Sequence, residues 1–169
     1  MHTLYLLRHA KSSWADRALP DRERPLAPRG RRDANRIAKH LVQLGVEPEL
    51  VLCSSAKRTR ETLELVRSAL GATATVRLEE DLYAASSQEL LERIRRVSEP
   101  VASVLLIGHN PGLQDLAVLL ASSGAGSERL EAKFPTAALA TLTLPQTPWS
   151  ELSPGDAVLT AYVVPKELR

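Results

Sequence analysis

Short apolar runs alternate with amphipathic stretches along this chain. Thr3-Leu4-Tyr5-Leu6-Leu7, Glu49-Leu50-Val51-Leu52-Cys53 and Val101 to Gly108 are brief, nearly continuous apolar segments that end in turn or charged residues, the pattern of strands buried on both faces. Between them the apolar positions repeat every three to four residues. Pro28 to Leu44 places Ala34, Ile37, Ala38, Leu41 and Val42 on one face and stops at Gly45, and the segment from Ser55 buries Leu63, Val66 and Leu70 and stops at Gly71, as helices ending in glycine do. Ser86-Ser87-Gln88-Glu89 is a capping-box pattern ahead of Leu90, Leu91, Ile94 and Val97. Asn110 and Pro111 open a further helix that presents Leu113, Leu116, Ala117 and Leu120. Ala137 to Leu144 and Ala157 to Val164 read as two closing strands around a proline-rich turn. Strand and helix alternation followed by a hairpin predicts an α/β fold, a three-layer α/β/α sandwich with a mostly parallel central sheet, as one domain over residues 1–169. Ser122 to Ser127, with Gly124 and Gly126, is the expected mobile loop.

Chemistry gathers where these strands end. Arg8-His9 follows the first strand directly and His109 follows the Val101 to Gly108 strand, so two of the four histidines lie at strand ends, where open α/β sheets bind ligands. The strand ending at Cys53 runs into Ser54-Ser55-Ala56-Lys57-Arg58-Thr59-Arg60-Glu61-Thr62, a helix start with Ser54 or Ser55 as the expected N-cap. Arg58 then falls in the first turn, where the helix dipole already carries about +0.5 of an elementary charge. An anionic ligand resolves that conflict. Planar guanidinium groups grip phosphoryl oxygens in pairs, which makes Arg8 and Arg58 a candidate clamp for a tetrahedral oxyanion.

Taken together, Arg8-His9, the segment Ser54 to Thr62 and Gly108-His109-Asn110-Pro111 resemble the histidine phosphatase superfamily, also called phosphoglycerate-mutase-like. Within it the chain is similar to the short SixA-type phosphohistidine phosphatases: Ala10 and Lys11 stand where most of the superfamily has Gly and Glu, and Arg24-Pro25-Leu26 precedes Gly30 at the spacing of the short enzymes. The resemblance runs from residue 3 to about 164 and implies a domain without a cap insertion. It also implies roles. His9 is the expected nucleophile that carries the phosphoryl group, Arg8 and Arg58 hold its oxygens, His109 completes the pocket, and Arg24 adds a phosphate contact. No metal or cofactor is implied, because side-chain cations supply the charge that phosphoryl transfer needs. The blander reading of Asp21-Arg22-Glu23-Arg24 is a solvated loop with internal ion pairs.

The departure from the family pattern concerns the general acid, which many members carry as a glutamate after the third strand. Here that region is Val76 to Tyr83, and Asp81 or Glu80 is the candidate. An alkoxide leaving group needs a proton donor, whereas an imidazole of pKa about 6.5 needs far less help. An ambiguous acid therefore points to a phosphohistidine substrate. Three readings follow: a metal-independent phosphatase for phosphohistidine in a protein, a phosphomonoesterase for a sugar phosphate or nucleotide, and a non-catalytic phosphoprotein-binding module, disfavoured because a binder needs the arginines but not His9.

Composition adds exclusions. No run of 18 apolar residues and no signal peptide is visible, and the single cysteine, Cys53, excludes an internal disulfide. A cytoplasmic protein without membrane contact, monomeric by default, is expected. Aromatic residues make up 4%, which disfavours nucleic acid. The net charge of +2 hides an asymmetry, with 13 Lys and Arg against 6 Asp and Glu in residues 1–60 and 9 against 14 thereafter. The basic half either steers phosphorylated partners to the site or, through Arg29, Arg31, Arg32 and Arg36, forms the solvated face of a helix.

Overall fold

Each apolar run of the sequence becomes a strand of one mixed sheet. The computed structural model describes residues 1–124 and 126–168, with Ser123 by its backbone alone. The strands are β1 (His2–Arg8), β2 (Leu50–Ser54), β3 (Thr75–Glu79), β4 (Ser103–Gly108), β5 (Ala121–Gly124), β6 (Leu139–Leu144) and β7 (Ala157–Val163). They lie in the order β3-β2-β4-β1-β6-β7-β5. β1, β2, β3 and β4 are parallel neighbours, β6 runs against both β1 and β7, and β5 is parallel to β7. Among the described strands, β6 alone therefore opposes the common direction. The helices are α1 (Pro28–Leu44), α2 (Lys57–Val66), α3 (Ser87–Arg95), α4 (Gly112–Leu120) and α5 (Ser127–Ala132).

The period-2 alternation of the central strands separates two cores. Leu4 and Leu6 of β1, Leu50 and Leu52 of β2, and Val104 and Leu106 of β4 face the layer of α3 and α4. Leu7, Val51, Cys53, Leu105 and Ile107 face that of α1 and α2. Strands covered by helices on both faces must be apolar on both, which is why these runs show no polar alternation. Among the described residues, no helix is long and apolar enough to cross a membrane.

Local signals set the helix limits. Gly45 closes α1 at φ 66° in the left-handed region, and Ser86 and Glu89 cap α3 reciprocally. Gly30 lies so close to the chain at Lys11 that a Cβ there would stand 2.1 Å from the Lys11 carbonyl oxygen. This approach fixes the start of α1 beside the residues that follow His9.

Several expectations need correction. The N-cap of α2 is Ala56 rather than Ser54 or Ser55; both serine hydroxyls are engaged elsewhere, as described below. The helix expected from Ser55 to Leu70 tightens into a 3-10 turn over Arg67–Leu70. Val42, expected on the buried face of α1, is 62% exposed. The expected loop at Ser122 to Ser127 includes Ala125, which lies outside the described residues; of its neighbours, Ala121–Gly124 add an edge strand to β7. A strand reading Ala-Ser-Ser-Gly carries no apolar periodicity, so its pairing comes from the neighbouring edge rather than its own pattern.

Candidate active site

Parallel register brings the chemistry to one edge. Arg8 lies opposite Gly108 and Cys53 opposite Ile107, so His9, His109 and Ser54 emerge side by side at the carboxyl ends of β1, β4 and β2. Backbone bonds pin the nucleophile candidate: the His9 N–H donates to the Gly108 carbonyl at 3.1 Å, and the Ala137 N–H donates to the His9 carbonyl at 3.0 Å. The rings of His9 and His109 stand 5.2 Å apart at 54°.

The tautomer of His9 follows from its partner. Nδ1 lies 2.7 Å from the Ala10 carbonyl oxygen, which can only accept, so Nδ1 carries the hydrogen and the lone pair belongs to Nε2. Burial, together with the charges of Arg58 and Arg8, pushes the His9 pKa down to about 3, against which the Ala10 bond acts. His109 is pushed down to about 4 by burial and then by Arg58. Both imidazoles are therefore neutral at pH 7. His109 Nε2 shares a hydrogen with the Ser54 hydroxyl at 2.7 Å, and its Nδ1 is buried without a partner.

The arginines surround this pair. Arg8 donates from one terminal nitrogen to the Phe134 carbonyl at 3.1 Å, while its Nε is buried and unpartnered. Its charge lowers the pKa of both histidines. Arg58, buried in the first turn of α2, donates to the Asp21 carbonyl at 2.7 Å and to the Asp21 carboxylate at 3.0 Å. The Thr62 hydroxyl donates to the Arg58 carbonyl and accepts the Ala10 N–H, which ties the arginine's turn to the residue after His9.

Arg24 occupies the loop beside them. Its nitrogens donate to the Ser13 carbonyl, the Ser12 hydroxyl and the Asp21 carboxylate, and its guanidinium lies 3.2 Å from the centre of the Trp14 ring. It has the internal ion pair of the blander reading, yet it is buried rather than solvated.

Of the two acid candidates, neither bonds to His9 or His109 among the described residues. Asp81 is exposed and lines a cavity of about 650 Å³ with Glu49, Arg77 and Arg93 and a second of about 620 Å³ with Arg22 and Tyr83, and neither His9 nor His109 lines either. Glu80 is exposed and paired with Arg22, which holds its carboxyl below the usual range.

Two residues absent from the expectations stand here. The Asp21 carboxylate takes bonds from Arg24, Arg58 and the Tyr83 hydroxyl, and these partners, Tyr83 foremost, depress its pKa to about 2. Tyr83 meets the His109 ring edge-on at 5.5 Å and lies under the Arg22 guanidinium, which also donates to the Ser55 hydroxyl. Asp21 and Arg24 at three residues' spacing were a visible ion-pair signal; Tyr83 had none, since its partners lie far away in sequence.

Comparison with known proteins bears on this arrangement. Residues 4–90 match the model of the histidine phosphatase superfamily, branch 1. An uncharacterized protein of Mycobacterium tuberculosis, Rv1276c, is 38% identical over 164 residues, covering 95% of this chain and all of that one. A solved structure from Nakamurella multipartitia, taken to be the phosphohistidine phosphatase SixA, superposes with a TM-score of 0.82 at 29% identity, covering 96% of this chain and 95% of that one. The protein histidine phosphatase SixA complexed with tungstate gives 0.80 at 27% identity, covering 99% of both chains. A likeness this complete in both sequence and fold makes the chain a phosphatase of the histidine phosphatase superfamily.

Proposed function

We propose that the protein hydrolyses phosphohistidine carried on a protein, without a metal, through a phosphoryl group held transiently on His9. The observation that carries this reading is a buried neutral imidazole with its hydrogen tied to a carbonyl and the charges of Arg58 and Arg8 around it; unpartnered polar atoms on Arg8 and His109 are in keeping with it. A buried polar atom without a partner costs about 1–3 kcal/mol, and a bound oxyanion accepts hydrogen bonds from guanidinium and imidazole N–H groups.

In the first step the His9 Nε2 lone pair forms a bond to phosphorus while the bond from phosphorus to the substrate's imidazole nitrogen breaks. The substrate ring carries a proton on its other nitrogen, so the bonding pair stays on the leaving nitrogen and the ring departs as a neutral imidazole. A water oxygen then attacks phosphorus and the bond to Nε2 breaks. Inorganic phosphate leaves, the water's proton goes to solvent or phosphate, and His9 returns neutral. Arg8 and the guanidinium hydrogens of Arg58 that Asp21 leaves free neutralise the equatorial oxygens, and neutral His109 adds a hydrogen bond. Among the described residues, no three His, Cys, Asp or Glu side chains gather as a metal site.

The carboxylates support the substrate class. Asp21 with its pKa near 2 and Glu80 paired with Arg22 are both ionised at neutral pH, and Asp81 is exposed and shares neither of its two cavities with His9 or His109. A leaving group that needs no carboxylic acid suits this set, and an imidazole is one. Tungstate, a tetrahedral oxyanion, in the similar SixA structure is in keeping with it.

The test is single-turnover mixing with a protein labelled on histidine with radioactive phosphate, in excess EDTA. Phosphate that is acid-labile and alkali-stable should appear on the enzyme before free phosphate does. A sugar phosphate that turns over faster than the phosphoprotein, or full loss of activity in EDTA restored by metal, would overturn the reading.

A further inference from the structure

We propose that a cationic groove beside the catalytic strand ends docks the acidic surface of the phosphoprotein that carries the substrate histidine; this rests on the function proposed above. The groove has a volume of about 600 Å³ and lies between the first half of α1, the end of α5 and the chain that leaves β7. Its charged lining is Arg29, Arg32, Arg36, Arg129, Lys133 and Lys166, with Asp33 the acidic residue among them. Asp33 is buried and committed to Arg36 at 2.9 Å and Arg29 at 3.8 Å, and Arg129 is paired with Glu167. Arg32, Lys133 and Lys166 are exposed and have no ion pair among the described residues. Three cations gathered around one hollow repel one another, and an anionic surface relieves that.

The groove shares a wall with the active site. Pro135 and Thr136 line it, while the residue before them gives its carbonyl to Arg8 and the residue after them donates its N–H to the carbonyls of Arg8 and His9. A free phosphohistidine is too small to occupy the site and reach past this wall. A docked protein is not: a standard interface of about 800 Å² per partner is roughly 30 Å across, so a domain that inserts its histidine beside His9 lies over the groove.

The floor favours protein over RNA. Tyr162 is buried beneath the cations, with its hydroxyl bonded to the Lys133 carbonyl, and Val164 and Pro165 complete an apolar base. No exposed aromatic ring lines the groove for a base to stack on.

The experiment compares wild type with the triple variant Arg32→Glu/Lys133→Glu/Lys166→Glu on two substrates: an acidic phosphotransfer domain phosphorylated on its histidine with phosphoramidate, and free phosphohistidine. The variant should raise KM for the phosphoprotein about tenfold or more with kcat unchanged, as loss of steering does. On free phosphohistidine both constants should stay within about twofold of wild type, which also reports that the variant is folded. Raising salt from about 50 to about 300 mM should raise the wild-type KM for the phosphoprotein and leave the variant's nearly level. An unchanged KM on the phosphoprotein overturns the groove alone. Equal losses on both substrates overturn it too, since the effect then belongs to the catalytic site. Loss of binding to a single-stranded RNA oligonucleotide with unaltered phosphoprotein kinetics would reassign the groove to nucleic acid. No wild-type turnover of the phosphoprotein overturns both this inference and the function it rests on.

Discussion

The two ends of β1 each carry a histidine, and they differ in the sign of the charge around them. His2, at the start of the strand, stacks on Trp149 at 4.5 Å with the rings 4° from parallel, and its Nε2 meets the Glu99 carboxylate at 3.1 Å. Glu99 also accepts the Trp149 N–H, and the indole N–H is bonded to Val101. His9, past the other end, faces Arg8, Arg58 and a second imidazole. A buried unpartnered nitrogen does not separate the two ends, because His2 Nδ1 is one as well. The surroundings do: an anion next to His2 completes a structural cluster, whereas His9 is kept neutral by burial first and by the charges of Arg58 and Arg8 after it, and those cations suit an anion added from outside.

The sharpest way to break this comparison is to remove each ring in turn. His9→Ala should lower turnover of phosphohistidine by about 10³-fold or more, as loss of a covalent nucleophile does, and abolish the acid-labile phosphoenzyme while the far-ultraviolet circular dichroism is kept. His2→Ala should leave turnover within about twofold and lower stability by about 0.5–1.5 kcal/mol, the scale of a lost ring stack, read by denaturant titration. If the His9→Ala protein retains a tenth of wild-type rate, the two ends are not functionally different.

Next in size is the cationic shell. Arg58→Ala should cost about 10²–10³-fold in kcat, comparable to removing one oxyanion donor, and Arg58→Lys should recover little of it because an ammonium cannot reproduce the planar fork. Kinetics on free phosphohistidine decide it; a loss below about threefold would mean that Arg58 serves only to hold Asp21.

The extent to which this site was legible depends on where each residue's partners lie. His9, His109 and Arg58 announce themselves because each stands at the end of an apolar run or the start of an amphipathic one, and the parallel sheet then assembles them. The limits of α1 and the cap of α3 are equally local, written in Pro28, Gly45, Ser86 and Glu89. Asp21 and Tyr83 were missed since their meeting depends on the fold alone: the hydroxyl and carboxylate are 62 positions apart. Ser54, like Ser55, fits a helix cap in the sequence, a local role, and in the fold it bonds to His109, 55 positions away. β5 was invisible for the related reason that an edge strand of small polar residues is specified by its neighbour.

A smaller effect is expected at the acid candidates. Asp81→Asn and Glu80→Gln should each cost less than about tenfold on free phosphohistidine, below the roughly 10²–10⁴ of a positioned general acid. A loss above a hundredfold for either would bring that carboxyl into the chemistry and favour an alkyl phosphate as the natural substrate.

The smallest change concerns pH and tests the neutrality of the cationic end directly. An ordinary imidazole titrates near 6.5, whereas burial and the arginines hold His9 at about 3 and His109 at about 4. Their ring resonances in nitrogen-correlated NMR should therefore stay in place between pH 7.5 and about 5. The same shifts set the sign of the stability change. As pH falls from about 6.5 toward 4, the unfolded chain binds protons at these rings and the folded chain does not, so their contribution to stability declines over that window. Asp21, depressed to about 2, remains ionised throughout and adds its own loss only at more acid pH. The melting temperature of wild type should thus drop between pH 7 and about 4.5, and that of His9→Ala should drop less because one of the two rings is gone. Equal drops in both proteins, or a titration of the His9 ring near pH 6.5, would show that the imidazole at the cationic end is no different from one in water.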